Sequence, residues 1–492
     1  MATHGRLLVE GSRLPPGGLR GPTLVHGIEP GHLVAPLLVS ALLLAVGVAN
    51  GGFHPRTWAW VSVPLVFVIV SALLARSNVE LSALECGTLL CLLALAGWTA
   101  LSGLWSVDGA LSLRDGQRTL LYTLAAAAIM LLSRRGSGGY VVSGVLAGIS
   151  ALVTLALAIQ LLPVGLSGAD PFEGYLLFRP VGYANALGIL AAMGLLLAGG
   201  LATRAPGPDA RRIGAGLLVP LAAALTLSGS RGAALALVIG AVTVIALADD
   251  RRRLGLEMLV LCPGPLLIAV ACATVDLRGD YPAIEAGRAA ALALAIIVLA
   301  AITALAAPLA RAIARRPVGR RSRQLAAAAA VLTALLLVAV AAARGGAPVP
   351  VPGDRTEYWA VAWQQFGDHP LVGSGAGSFA ARWQESGSDH GAHDAHSLYL
   401  ESLAELGSIG LVLVLTALAL PVVAGLRVRR LRWVPAAIGA YVAFVVHAGL
   451  DWDWEMPVVT LAALFLGGSL LVAAAGPVVG AESTPGACFC VA

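Results

Sequence analysis

Apolar runs of about 17–25 residues recur along this 492-residue chain, and each is long enough to cross a hydrocarbon core roughly 30 Å thick as a helix. In such surroundings every backbone N–H and C=O must be satisfied within its own segment, which makes the helix the default. About fourteen runs are centred near residues 42, 66, 95, 126, 151, 191, 220, 240, 265, 299, 334, 412, 441 and 467. Those near 126, 220 and 240 are short. The expected fold is therefore an all-α polytopic integral membrane protein with about 12–14 transmembrane helices and one large extracytoplasmic loop. A hydrophobic content of 58%, with 12% charged residues and a mean hydropathy of +0.85, excludes an ordinary soluble protein.

Arginines orient the chain, because positively charged loops stay on the cytoplasmic side. They cluster at Arg134–Arg135, Arg204 with Arg211–Arg212, Arg251–Arg253, Arg311 to Arg323, and Arg427 to Arg432. With fourteen spans all five clusters, and the Arg-bearing N-terminal tail, fall on one side. The domain plan that follows is a flexible cytoplasmic tail (1–32), transmembrane helices one to eleven (33–343), a large extracytoplasmic loop (344–395), helices twelve to fourteen (396–476) and a cytoplasmic tail (477–492). The first span is expected to act as an uncleaved anchor, since residues 1–32 lack the apolar core of a signal peptide. Most distinctive polar chemistry collects on the opposite face.

The charge balance of +5 does not argue for nucleic acid, since no basic domain carries interleaved aromatics. All 32 basic residues are arginine, a pattern of GC-rich coding rather than of function. Cys86, Cys91, Cys262 and Cys272 sit in or near apolar spans as small hydrophobes. No cysteine spacing suggests a disulfide framework or a zinc site, and no GxxxxGK[ST] phosphate loop is present.

The stretch from Asp354 to Gly410 concentrates the polar chemistry: DRTEYWAVAWQQFGDHPLVGSGAGSFAARWQESGSDHGAHDAHS runs directly into LYLESLAELGSIGLVLVLTALAL. His396 opens the long helix, with Asp394 placed to cap it. The partial positive charge of a helix N-terminus disfavours imidazolium, so a neutral His396 would suit a general base. That terminus could equally bind an anion, and the plain alternative is a wet interfacial histidine with no chemistry. His390, His393, Asp394 and His396 have zinc-compatible spacing, but Gly- and Ser-flanked loops of this kind are often only solvated.

Arg231 in LSGSRGAAL lies where one span ends and the next begins, a position that marks a wet site or a snorkelling side chain. Arg179 in FRPVGYANALG sits similarly, and Arg355 in GDRTEYW neighbours aromatics. Three arginines on one face would suit a diphosphate, which planar guanidinium groups bind bidentately. Asp451 and Asp453 in HAGLDWDWEMP mimic a DxD motif, but without a nucleotide-binding domain they read as an interfacial tryptophan belt with adjacent carboxylates. The glycines of HPLVGSGAGSF follow no strand, so a dinucleotide role is discounted.

Together, SGSRGA, RPVGYANALG, the R-x3-W-x3-W run from Arg355 into HPLVGSGAGSF, and above all AHSLYLESLAELGSIGLVLVL resemble the O-antigen ligase and polysaccharide polymerase family of bacterial inner-membrane proteins. The resemblance covers about Phe178 to Pro457. It implies metal-independent glycosyl transfer, with no cofactor, on the outer face of the cytoplasmic membrane. The implied donor is a glycan on undecaprenyl diphosphate, and the acceptor is a hydroxyl of a glycan, glycolipid or protein. Carried over by residue, it makes His396, Arg231 and Arg355 catalytic, with Arg179, Tyr399, Trp359 and Asp394 binding substrate. The family often has Asn after the loop histidine, where this chain has Ser397. The competing readings are a transporter of a small solute or glycan, a peptidoglycan-type polymerase of the shape, elongation and division group, and an assembly scaffold. A transporter should show inverted repeats and broken helices with charges at mid-membrane.

Overall fold

A computed structural model describes residues 33–75, 78–133, 137–162, 170, 172–275, 284, 286–315, 353–387 and 392–476. The tails 1–32 and 477–492, the run near 334 and His390 lie outside them. The described residues form sixteen α-helices and no strand. In chain order these are α1 (Val34–Val48), α2 (Pro55–Leu74), α3 (Ala83–Leu101), α4 (Gly109–Leu132), α5 (Gly138–Leu161), α6 (Ala184–Arg204), α7 (Pro208–Ser228) and α8 (Arg231–Leu247). There follow α9 (Arg251–Leu261), α10 (Pro263–Ala273), α11 (Ala286–Arg315), α12 (Gly353–Asp368), α13 (Phe379–Glu385), α14 (Leu398–Arg427), α15 (Val434–Ala448) and α16 (Pro457–Ala474). Each of the other thirteen apolar runs falls on a helix or, near residue 265, on the α9–α10 pair.

Among the described residues eight helices are long and apolar enough to cross a membrane: α2, α3, α5, α6, α7, α11, α14 and α16. The α9–α10 pair, bent by 50° at Cys262–Pro263, supplies a ninth if counted as one span, and α1, α8 and α15 are shorter apolar helices. In α4 the charges Arg114, Asp115 and Arg118 occupy the first half, which leaves a shorter apolar remainder. The molecule is an all-α, multi-pass membrane protein.

Local sequence explains the helix starts. Ser82 and Glu85 form a reciprocal capping box on α3. Asp108 accepts from the first-turn amides of α4, Ser230 from Ala233 on α8, and Asp250 from Arg253 on α9. Proline opens α2, α7, α10 and α16, where its missing N–H would be unpaired anyway.

Packing sorts the helices into centre and rim. The apolar stretches of α6 and α16 are 89% buried, those of α2 and α11 only 22% and 17%. Central contacts use small residues, which let backbones approach where the lipid offers no hydrophobic drive. On α8, a Cβ at Gly240 would lie 2.7 Å from the Gly439 carbonyl oxygen of α15.

Helices α4, α6, α8, α14 and α16 start at one end of the bundle, where α1, α3, α7 and α15 finish. That end holds the residues of the 354–410 stretch, called here the histidine end.

Candidate functional site

The expected long helix α14 is broken. Gly407 has φ 68° and ψ −169°, a conformation essentially closed to other residues, so the 398–406 limb and the 408–427 limb are separate. The break frees carbonyls and amides that the HPLVGSG segment satisfies. Ser374 N–H donates to Ala404 O (3.1 Å) and Gly375 N–H to Glu405 O (2.8 Å), while Ser408 N–H donates to Pro370 O (2.9 Å). Glu405 adds both carboxylate oxygens, accepting from Gly377 N–H and Phe379 N–H at 2.9 Å each. Ala376 is fixed from the other side, its carbonyl accepting from Ser106 and Ser112 hydroxyls at 2.9 and 2.7 Å. The glycine run is thus a structural strap across α3, α4 and α14. Gly373, Gly375 and Gly377 all have positive φ, as a strap this close to other backbone requires.

The strap aims the short limb of α14, and directly before it Ala392 and Ala395 are buried while His393 is exposed. The cap of α14 is Ser397, whose hydroxyl accepts from Leu400 N–H at 3.5 Å, and not Asp394. Asp394 instead turns to His396, its Oδ1 accepting from His396 N–H at 2.9 Å and lying 2.8 Å from His396 Nδ1. His396 holds φ 50°, an uncommon left-handed conformation for a non-glycine residue, and Glu401 braces the turn by accepting from Ala395 N–H.

The carboxylate fixes the tautomer: Nδ1–H faces Asp394, so Nε2 carries the lone pair of a neutral ring. Burial pulls the imidazole down, but Asp394 more than offsets it and holds His396 above its ordinary value. This corrects the expectation that the helix end alone would keep the ring neutral. The charge two residues away outweighs the cost of burial.

Helix α12 lies against α14 and carries Arg355 and Tyr358, three residues apart and so on one face. The Tyr358 ring sits 5.2 Å from the His396 ring and 4.6 Å from Trp383. Arg355 Nη2 donates to Asp451 Oδ2 at 3.0 Å. Asp451, 1% exposed, also accepts from Tyr183 Oη–H (2.7 Å), Asn185 Nδ2–H (2.7 Å) and Trp452 N–H (3.0 Å). Trp452 bridges the two clusters, 4.7 Å from Tyr183 and 6.4 Å from His396.

Arg231 is the first residue of α8, directly after the capping Ser230 and the left-handed Gly229 that ends α7. Next to it, a Cβ on Gly232 would lie 3.1 Å from Nε2 of His447. His447 is fully buried, and its Nδ1 lies 2.7 Å from Asp453 Oδ2. The expected interfacial belt is therefore corrected: Asp451 and Asp453 are interior groups, each 1% exposed and each paired with a cationic or basic side chain.

The remaining candidates are spread around this end. Arg179 has its guanidinium carbon 5.2 Å from the Phe178 ring centre, in a segment tied to α7 by Leu177 N–H donating to Leu227 O (3.0 Å). Tyr399 donates its hydroxyl to Val445 O at 2.6 Å and so joins α14 to α15. Trp359 Nε1 is buried with no hydrogen-bond partner among the described residues. Among the described residues no three His, Cys, Asp or Glu side chains group as they would around a metal ion.

Against the short limb of α14 lies a cavity of about 40 Å³ lined by Asp115, Arg118, Glu401, Glu405 and Glu455, with Arg118 Nη2 donating to Glu455 Oε1 at 2.9 Å. Burial pushes the Glu455 carboxyl up against the pull of Arg118. Sequence reasoning missed Asn185, Tyr358, His447 and the roles of Glu401 and Glu405. A signal existed only for His447, six residues ahead of Asp453 at a span end.

These features define a multi-pass membrane protein with histidine–carboxylate pairs (His396–Asp394 and His447–Asp453) and arginine–carboxylate pairs (Arg355–Asp451 and Arg118–Glu455) at one end of the bundle. Residues 216–415 match the family model described as O-antigen ligase, so this segment is similar to that family. The matched segment contains Arg231, Arg355, Trp359, His396 and Tyr399, whereas Arg179, Asp451 and Asp453 lie outside it. No curated protein gives a significant match to the chain.

Proposed function

We propose that this protein transfers a glycan from an undecaprenyl-diphosphate carrier to an acceptor hydroxyl on the outer face of the bacterial cytoplasmic membrane. The observation that carries the reading is the Asp394-oriented His396 beside the Asp451-held Arg355, both within the family-matched segment. The acceptor oxygen attacks the anomeric carbon and passes its proton to His396 Nε2. The bond from that carbon to the diphosphate oxygen breaks, and the lipid diphosphate leaves with the electron pair. Arg355 and Arg231, helped by Arg179, bind the diphosphate and stabilise the developing charge. Tyr399 and Trp359 are proposed to line the donor and acceptor path. Asp394 and Asp451 act as positioning residues, setting the His396 tautomer and the Arg355 fork. The arginines supply positive charge without a metal or cofactor. With the arginine clusters inside, the histidine end faces outward and both termini are cytoplasmic.

Broken spans line many transporter sites; the break in α14 is closed by the strap, which leaves the bent α9–α10 pair as the feature that favours transport. Its break falls at Cys262 and Pro263, however, and the charges of α9, Arg251 to Glu257, all stand before its last turn, with Glu257 already paired to Arg253. That leaves no ion or substrate group at the bend.

The test uses the full chain in nanodiscs with a short undecaprenyl-diphosphate oligosaccharide, with lysate as acceptor and with or without a chelator. The expected result is release of lipid diphosphate that survives chelation and is lost in His396→Ala with insertion intact. Retained activity in that variant removes the base role, and no release from the unaltered protein moves the weight to transport.

A further inference from the structure

The end of the bundle away from His396 holds a second cavity, of about 190 Å³, which the proposed transferase chemistry does not use. Its polar lining comes from five chain segments. Arg204 closes α6, Arg211 lies in the first turn of α7, Arg253 in the first turn of α9, Arg311 near the end of α11, and Arg432 in the α14–α15 turn. Since α6 runs from beside Tyr183 to Arg204 over 21 residues, the two sites stand about 30 Å apart.

The charges do not balance. Five guanidinium groups face three carboxylates, Asp249, Asp250 and Glu257, which leaves two positive charges. Two of those carboxylates are already engaged. Asp250 caps α9 by accepting from Arg253 N–H at 3.0 Å, and Glu257, 2% exposed, accepts from Arg253 Nε–H at 3.0 Å. Arg211, 6% exposed, donates to the carbonyls of Ala205 and Thr203 at 2.6 and 2.7 Å, which pins its fork against the cavity wall. Arg311 Nη1 is buried with no acceptor among the described residues. A buried guanidinium N–H without a partner is costly to leave so.

The space far exceeds the 10–15 Å³ that one water needs. Guanidinium forks arriving from several directions suit a tetrahedral anion, whose oxygens accept bidentately. Basic pockets between helices at the ends of membrane spans are where lipid headgroup phosphates dock. We infer that this cavity binds a phosphate group, carried either by an anionic phospholipid headgroup or by free inorganic phosphate. Arg311 supplies the donor that lacks an acceptor among the described residues, and Arg432, exposed on its turn, lines the same cavity. Bound there, the phosphate ties α6, α7, α9 and α11 to the α14–α15 turn.

The experiment measures the thermal midpoint of the full chain, with Arg311→Gln and Arg432→Gln as variants whose folding is checked by circular dichroism and elution profile. Inorganic phosphate is titrated in neutral detergent, and phosphatidylglycerol is compared with phosphatidylcholine in nanodiscs. A saturable rise with inorganic phosphate identifies the free ion, and a rise with phosphatidylglycerol alone identifies the lipid headgroup. Either variant should weaken the apparent affinity about tenfold, the effect of removing one charge-assisted hydrogen bond. The inference is overturned if neither probe shifts the unaltered protein, or if every folded variant responds as the unaltered protein does. Should Arg311→Gln fail to fold, the exposed Arg432 position still decides.

Discussion

Replacing Asp451 by Asn tests how the arginine of the site is held. Asp451 is 1% exposed and receives four donors, Tyr183 and Trp452 on Oδ1, Asn185 and Arg355 on Oδ2. Asparagine keeps the shape but offers one oxygen and one NH2 group, so either orientation turns two of the four donors toward another N–H. A lost hydrogen bond to a charged group is worth about 1.5–3 kcal/mol. Arg355 is 23% exposed and regains water in part, so the lower figure applies twice and the sum is about 3 kcal/mol. Expressed in the transition state, that is a fall of about 100-fold in kcat/KM for lipid diphosphate release. The assay should pair Asp451→Asn with Arg355→Ala in a double-mutant cycle in nanodiscs. If Asp451 works by holding Arg355, the double variant is no slower than Arg355→Ala alone. A rate within about threefold of the unaltered protein, or a double variant that loses the product of both effects, would refute the positioning role.

Asp394→Asn should shift the rising limb of the pH–rate profile toward acid and lower the plateau. Asp394 holds the His396 imidazole above its usual range, and without it burial, which disfavours imidazolium, prevails; the base must be neutral, so its limb follows this value down. Initial rates between about pH 5 and 9 check the direction, and an alkaline shift would contradict it. Gly407→Ala should destabilise by at least about 1–3 kcal/mol, because alanine cannot hold φ 68° and ψ −169° without strain and its Cβ would meet the Leu371 carbonyl. A clearly lower thermal midpoint than that of Gly97→Ala, whose Cβ would meet nothing, is the expected readout.

Much of the fold was legible because membrane spans follow from composition and length alone. The apolar runs led directly to α1 through α11 and α14 through α16; of the three expected to be short, α8 is a shorter helix and α4 has a shortened apolar part, but α7, at 21 residues, is long enough to cross. What stayed hidden depends on backbone geometry or on distant partners. The sequence AELGSIG reads as uninterrupted helix, since glycine is common inside spans. Only the strap, more than thirty residues earlier at Pro370 to Gly375, makes Gly407 a break. The Asp451–Arg355 pair joins positions 96 apart, and nothing local distinguishes a buried carboxylate from one in a tryptophan belt. His396 was recognisable from its place before the helix, but its protonation depends on where Asp394 turns.

The break in α14 explains why a reactive histidine can stand at the end of a span at all. A continuous helix would satisfy its own amides and carry residues 398–406 straight on along the span axis. At Gly407 that ladder stops, and the freed carbonyls of Ala404 and Glu405 are taken up by the strap rather than by water. Glu405 then binds two further strap amides, so the limb bearing His396 and the strap form one hydrogen-bonded unit. Helix α12 packs on this same limb through Val361 and Ala362 against Leu400 and Ala404, which sets Arg355 and Tyr358 relative to His396 through short apolar side chains rather than long flexible ones. The site therefore inherits the rigidity of the bundle while standing clear of its apolar interior.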